Sequence, residues 1–128
     1  MKTVLITGVS RGIGKALAKK FIENDYSVIG TSTRGASSLI HPKFKVLPLE
    51  LTNSESIEGC VSEILKLGVK IDILINNAGT WVPTDKGPNI DIPSLRKTLS
   101  EAAEYIYKLA VSKPESGQFW FKGEKFPW

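Results

Sequence analysis

The sequence predicts an α/β fold, a parallel sheet flanked by helices, and three observations carry that expectation. Residues 3 to 7, Thr-Val-Leu-Ile-Thr, are β-branched or apolar throughout, as a strand covered on both faces must be. Such runs alternate with helical spacing as far as residue 75, and that alternation demands parallel strands joined by right-handed crossovers. Pro48 falls within the third strand, where a missing N–H is tolerated only at a sheet edge. The doubly wound order 3-2-1-4 puts strand three on that edge.

Strand one runs into Gly8, and Gly12 and Gly14 complete a glycine turn. From Ile13 the apolar residues take helical spacing: Ile13, Ala16, Leu17, Phe21. A strand that passes through glycines into a helix aims free N–H groups and the positive end of a helix dipole at one point. Such a point binds a phosphate, and two together suit the pyrophosphate of a dinucleotide. On this reading a side chain at Gly14 collides with the approaching pyrophosphate. The competing reading is a connection whose glycines only let the helix pack closely.

Ser27 to Thr31 reads as strand two, Ser32 to Ser38 as a polar loop, and Phe44 to Leu49 as strand three. Thr52-x-x-Glu55 has the form of a capping box. Ile57, Val61, Ile64 and Leu65 then make a helical apolar face, with Gly68 as its stop. Lys70 to Gly79 holds strand four. Beyond it, 80–92 reads as a loop with Pro83, Gly87 and Pro88. Pro93 opens a helix carried by Leu95, Leu99, Ala102, Ala103, Ile106 and Ala110, which Lys113-Pro114 closes. The tail from Ser116 reads as a short strand, a glycine turn and an aromatic end. The chain is therefore expected to be one dinucleotide-binding domain: 1–79 the cofactor half, 80–92 a loop, 93–128 the last helix and an aromatic tail.

Composition narrows the class. A chain of 128 residues is one domain, able to bury roughly two-thirds of its unfolded surface. No apolar run approaches the roughly 20 residues of a membrane helix, so no membrane partner is expected. Strand one begins at once, which leaves no signal or transit sequence in this reading. The single cysteine, Cys60, falls on an apolar helix face and reads as a reduced core residue, pointing to the cytoplasm. The 17 basic and 13 acidic residues give a net charge of +4, but the basic residues are scattered. No aromatic-basic platform recurs, so no nucleic-acid partner is expected. His41, the only histidine, has no second ligand beside it, and no metal is expected.

Thr7-Gly8-x3-Gly12-x-Gly14 resembles the glycine turn of the short-chain dehydrogenase/reductase family. Asn76-Asn77-Ala78-Gly79 resembles that family's Asn-Asn-Ala-Gly signature, which ends the fourth strand beside the cofactor. Leu49-Glu50-Leu51-Thr52 resembles its acidic-apolar-Thr step, with Glu50 where Asp is usual and faces the adenine. The resemblance implies a Rossmann-type sheet and cofactor contacts from Gly8, Ser10, Arg11, Gly12, Ile13 and Gly14. Glu50, Leu51, Asn77, Ala78 and Gly79 are implied on the same grounds. Strand two ends in Thr31-Ser32-Thr33-Arg34, about 20 residues past the turn, where an acid would hold the 2′-hydroxyl of NAD. Thr33 and Arg34 stand there instead, and with Arg11 they suit a 2′-phosphate. NADP(H) is expected over NAD(H).

The tail also resembles the C-terminus of small members of the family, which closes on Ser-Gly-x-Phe and Pro-Trp. A full-length relative places further strands and helices before that last helix, and those carry the catalytic Ser and the Tyr-x3-Lys pair. This sequence thus resembles a member shortened by an internal deletion after Gly79. Four residues after Tyr26, Tyr105 and Tyr107 stand Gly30, Leu109 and Val111, so no catalytic pair is identifiable. Tyr105 and Lys108 are helix neighbours that could imitate it or be a surface contact. Three functions stay open. The chain is a cofactor-binding protein inactive alone, an oxidoreductase with unconventional or partner-supplied groups, or a structural module pairing with a related chain. Either Phe119 to Phe121 adds a short C-terminal strand to the sheet beside strand four, or that edge stays open; an open edge with Phe119, Trp120, Phe121, Phe126 and Trp128 points to a homo-oligomer or to that pairing.

Overall fold

The computed structural model describes residues 1–79, 102–104, 106–112, 119–121 and 124–126. Four strands, β1 (Thr3–Thr7), β2 (Ser27–Ser32), β3 (Phe44–Pro48) and β4 (Ile73–Ile75), form one parallel sheet in the order β3-β2-β1-β4. Pro48 lies on the outer strand opposite Ser32, as an edge proline requires. Helices α1 (Gly12–Glu23) and α2 (Ser54–Lys66) follow β1 and β3.

Strand alternation sorts the core into two layers. Val4 and Ile6 of β1 and Val28 of β2 pack with Leu17, Ala18 and Phe21 of α1. Their neighbours Leu5, Ile29 and Leu47 pack with Cys60 of α2. The two helices therefore cover opposite faces of the sheet. On α2 the apolar arc is wider than the sheet beneath it. Val61 is 50% and Leu65 74% exposed, and Leu74 of β4, which pairs with Leu5, is 57% exposed. Among the described residues, no helix is long and apolar enough to cross a membrane.

Local details depart from expectation at three places. β2 runs one residue further, to Ser32, and β3 stops at Pro48. Helix α2 is capped by Asn53 and not by Thr52: the Asn53 Oδ1 accepts the N–H groups of Glu55 at 2.9 Å and Ser56 at 3.2 Å. Thr52 is otherwise engaged, because its hydroxyl donates to the Glu50 carboxylate at 3.0 Å. The tail holds two strands where one was expected. β5 (Phe119–Phe121) and β6 (Glu124–Phe126) pair antiparallel, Phe119 opposite Phe126, as a sheet of their own. The expected loop 80–92 and the start of the last helix lie outside the described residues.

Residues 102–104 and 106–111 are helical and close the α1 face. Ala103 is buried in that core, and Ile106, Tyr107 and Ala110 pack against it. The Tyr107 ring meets Phe21 edge-on at 5.0 Å between centroids, and Phe21 meets Tyr26 at the same distance. Edge-to-face pairs of this kind each contribute about 1 kcal/mol beyond burial. Lys20 bonds Glu104 at 2.7 Å across the two helices. That hydrogen bond holds the Glu104 carboxyl below, and the Lys20 ammonium above, its ordinary range.

The sign of the pH effect follows. A carboxyl depressed by folding stabilises the fold above its unfolded pKa, and the contribution is lost as pH falls through the folded value. The lysine contribution is lost only as pH rises through its own raised value. Attachment of the last helix should therefore be independent of pH near neutrality and loosen below the ordinary glutamate range. In Glu104→Gln the acid step should vanish from the pH dependence of thermal melting; a variant that retains it unchanged would assign the step elsewhere.

Candidate cofactor site

Because β1 to β4 are parallel, their C-terminal ends lie along one edge of the sheet. At that edge the Thr7 hydroxyl accepts the N–H groups of Asn77 and Ala78, each at 3.0 Å. The Asn77 amide Nδ2 donates in return to the carbonyls of Thr7 at 3.1 Å and Gly8 at 3.0 Å. A Cβ on Gly8 would come within 2.9 Å of the Ala78 Cα. On the other side, the N–H groups of Gly8 and Val9 both donate to the Thr31 carbonyl at 2.9 Å. The glycine turn is thus held between the ends of β4 and β2.

Helix α1 starts differently from α2. Arg11 at its N-cap is extended, makes no side-chain cap bond, and the first turn holds no acid. The first N–H groups of a helix have no intrahelical partner, so this end offers donors and a positive dipole to an anion. Gly12 has φ +62° with open space where a Cβ would stand. Arg11 and Ser10 are exposed and Ile13 is half-buried.

Gly14 has a packing reason of its own. It is buried, and a Cβ there would overlap the Gly8 carbonyl oxygen and press on Asn77 Nδ2 at 2.5 Å. The absent side chain is needed by the protein's own backbone, whatever approaches the turn from outside.

Thr33 and Arg34 follow β2 directly and are exposed. Neither Arg11 nor Arg34 forms an ion pair among the described residues. Leu51, after β3, is 54% exposed. The Glu50 carboxylate accepts from the Thr52 N–H at 3.3 Å as well as from its hydroxyl, so it organises the turn before α2. Ala78 and Gly79 are exposed and Asn77 is half-buried. Direct contact joins Gly8, Gly14, Asn77 and Ala78. Arg11, Thr33, Arg34 and Leu51 share the edge through their strands.

Thr7 and Thr31 join the site beyond the residues that the sequence motifs mark. The signal was a polar hydroxyl closing an apolar strand, which has no reason to be there unless its oxygen is used.

No described tyrosine reaches this edge. Tyr26 and Tyr107 pack on Phe21, seven residues beyond Gly14 and so about 10 Å further along α1. Burial pushes the Tyr107 hydroxyl and the Cys60 thiol up, away from acid-base or nucleophilic use near neutrality. Tyr105 lies outside the described residues. Among the described residues there is no group of three or more metal-ligating side chains.

The two later glycines should fail differently on substitution. Gly12→Ala meets only the left-handed backbone penalty, about 1–2 kcal/mol. Gly14→Ala must displace the Gly8 carbonyl and should cost about 3 kcal/mol or more. Urea unfolding separates them, and a Gly14→Ala protein as stable as Gly12→Ala would contradict the packing described.

Known proteins match this arrangement. The family profile for short chain dehydrogenase matches residues 2–100, about twenty residues beyond Gly79. The 3-oxoacyl-(acyl-carrier-protein) reductase of Vibrio cholerae is 42% identical over 83 residues, which are 61% of this chain and 34% of that protein. The chain thus spans about a third of the length of that relative. The solved structure of 4-hydroxyisoleucine dehydrogenase complexed with NADH superposes with a TM-score of 0.59 at 26% identity, over 88% of this chain and 49% of its own. ElxO with NADP bound gives 0.55 at 28% identity, over 84% and 49%. With the profile spanning most of the sequence and the sheet in the order β3-β2-β1-β4, the chain belongs to the short-chain dehydrogenase/reductase family.

Proposed function

We propose that this chain binds NADP(H) in preference to NAD(H) and that it does not turn over carbonyl substrates alone. One observation carries the reading: α1 begins with neither a side-chain cap nor an acid, on the edge where β2 is followed by Thr33-Arg34 without a carboxylate. The turn from Gly8 through Gly14 would hold the pyrophosphate on its free N–H groups. Arg11, Thr33 and Arg34 would take the 2′-phosphate, which an arginine fork matches bidentately. Exposed Leu51 suits an adenine face, with Glu50 holding the turn beside it, and Asn77, Ala78 and Gly79 would line the nicotinamide side. When bound, the cofactor supplies the hydride chemistry of the family. Relatives with NADH and with NADP both superpose on the chain, so the choice between them rests on the residues after β2.

Hydride transfer to a carbonyl needs a proton donor within hydrogen-bond reach. Tyr26 and Tyr107 are committed to the aromatic cluster at the far half of α1, which supports inactivity of the isolated chain. The buried Cys60, free of any disulfide, supports a cytoplasmic setting.

A second reading, self-association or pairing with a related chain, is favoured by β4. Among the described residues it pairs only with β1, and its Leu74 is exposed. Strand edges of this kind template pairing. An intact chain that stays monomeric in light scattering at high concentration would reject it.

Calorimetry tests the main proposal. NADPH should bind at least about tenfold tighter than NADH, and Arg34→Asp should erase the difference. Equal affinities untouched by that substitution would overturn it. NADPH oxidation with a panel of carbonyls should run about 10²–10⁴-fold below rates ordinary for such chemistry. Ordinary turnover that Tyr105→Phe abolishes would make the chain an oxidoreductase in its own right.

A further inference from the structure

The loop that follows β2 is fastened at both ends by serine hydroxyls. Ser32 is the last residue of β2 and only 7% exposed. Its hydroxyl donates to the Ala36 carbonyl at 2.9 Å and accepts the Ala36 N–H at 2.8 Å. Its carbonyl accepts the N–H groups of Gly35 at 3.2 Å and Leu49 at 2.9 Å. Gly35, at φ +70°, rests against Pro48 so closely that a Cβ would stand 3.0 Å from its ring. At the far end the Ser37 hydroxyl donates to the Val9 carbonyl at 3.2 Å and accepts the Leu39 N–H at 3.3 Å. Val9 belongs to the glycine turn, so the loop is tied both to its own strand and to the turn.

Both hydroxyls are occupied as donor and acceptor, while Thr33 and Arg34 between them are exposed. We infer that Ser32 and Ser37 are positioning residues for recognition of a ribose 2′-phosphate, a role that rests on the NADP(H) reading above. They hold the 33–36 loop in one shape before the nucleotide arrives, so that Thr33 and Arg34 stand preset relative to the glycine turn. A loop that is already ordered is not ordered at the expense of binding free energy. The effect falls on the 2′-phosphate and not on the pyrophosphate, because Gly8 and Val9 are held separately by the Thr31 carbonyl and by Asn77.

The test uses the full chain and two nicotinamide-free probes, adenosine 2′,5′-bisphosphate and AMP, titrated by calorimetry. In Ser32→Ala and in Ser37→Ala the bisphosphate should bind about three- to tenfold more weakly, the scale of one or two neutral hydrogen bonds, with AMP affinity unchanged. Amide exchange at Ala36 and Leu39 should quicken in the respective variants by more than any fall in melting temperature accounts for, and Ser32→Thr should restore bisphosphate binding. If Ser32→Ala does not fold, Ser37→Ala alone carries the test. A wild-type chain that prefers the bisphosphate while both alanine variants keep the full preference would overturn the inference and leave the NADP(H) reading standing. Equal weakening of both probes would reduce the serines to structural support and overturn it as well. A wild-type chain indifferent to the 2′-phosphate would remove the reading and the inference together.

Discussion

The hydroxyl of Thr7 receives two N–H groups from a strand end 70 residues away, and Asn77 answers with two donors of its own. The cofactor edge depends on this exchange. It fixes the Gly8 carbonyl, which occupies the space Gly14 leaves empty, and so sets where α1 begins. Remove the exchange and the glycine turn keeps its sequence but loses the wall against which it is shaped. Each bond is modest by itself, about 1 kcal/mol net. Their weight comes from acting on one short stretch of backbone whose alternatives are already few.

The two main helices show how one fold assigns opposite tasks to similar elements. α2 ends its chain of hydrogen bonds on the Asn53 side chain and carries Glu55 in its first turn, so its dipole is answered within the protein. α1 carries neither device and has Arg11 at its N-cap. A structural helix of this length gains from a cap, commonly about 1 kcal/mol. Among the described residues, α1 is thus the helix whose first turn is answered by no side chain or acid of the protein.

Much of this was legible in the chain itself, because periodicity survives without tertiary knowledge. The apolar run at Thr3–Thr7 and the spacing through Phe21 were enough for a parallel sheet, and Pro48 agreed with strand three at the edge where the doubly wound order puts it. What stayed hidden were choices between neighbours. Thr52 and Asn53 are both good caps, and only the Glu50 carboxylate decides that Thr52 is taken. Gly14 announces that a side chain is forbidden, but what it faces depends on where Gly8 lies in space. The Thr7 hydroxyl has no readable purpose until β4 is placed beside β1. At the tail, three-residue strands are too short for alternation to count, so β6 was read as an aromatic end.

The span between Thr7 and Asn77 also governs when this edge comes into being. Loop-closure entropy must be met before such a distant pair contributes, which makes it a late event in folding. A nascent chain that has β1, α1, β2 and β3 outside the ribosome still lacks the donors that shape its glycine turn. Until Asn77 and Ala78 emerge, Gly8 lacks the bonds from β4 and is held on the Thr31 side. The glycine turn is therefore among the last parts of this sheet edge to take its final shape, although β1, α1 and β2 all precede β4 in the chain.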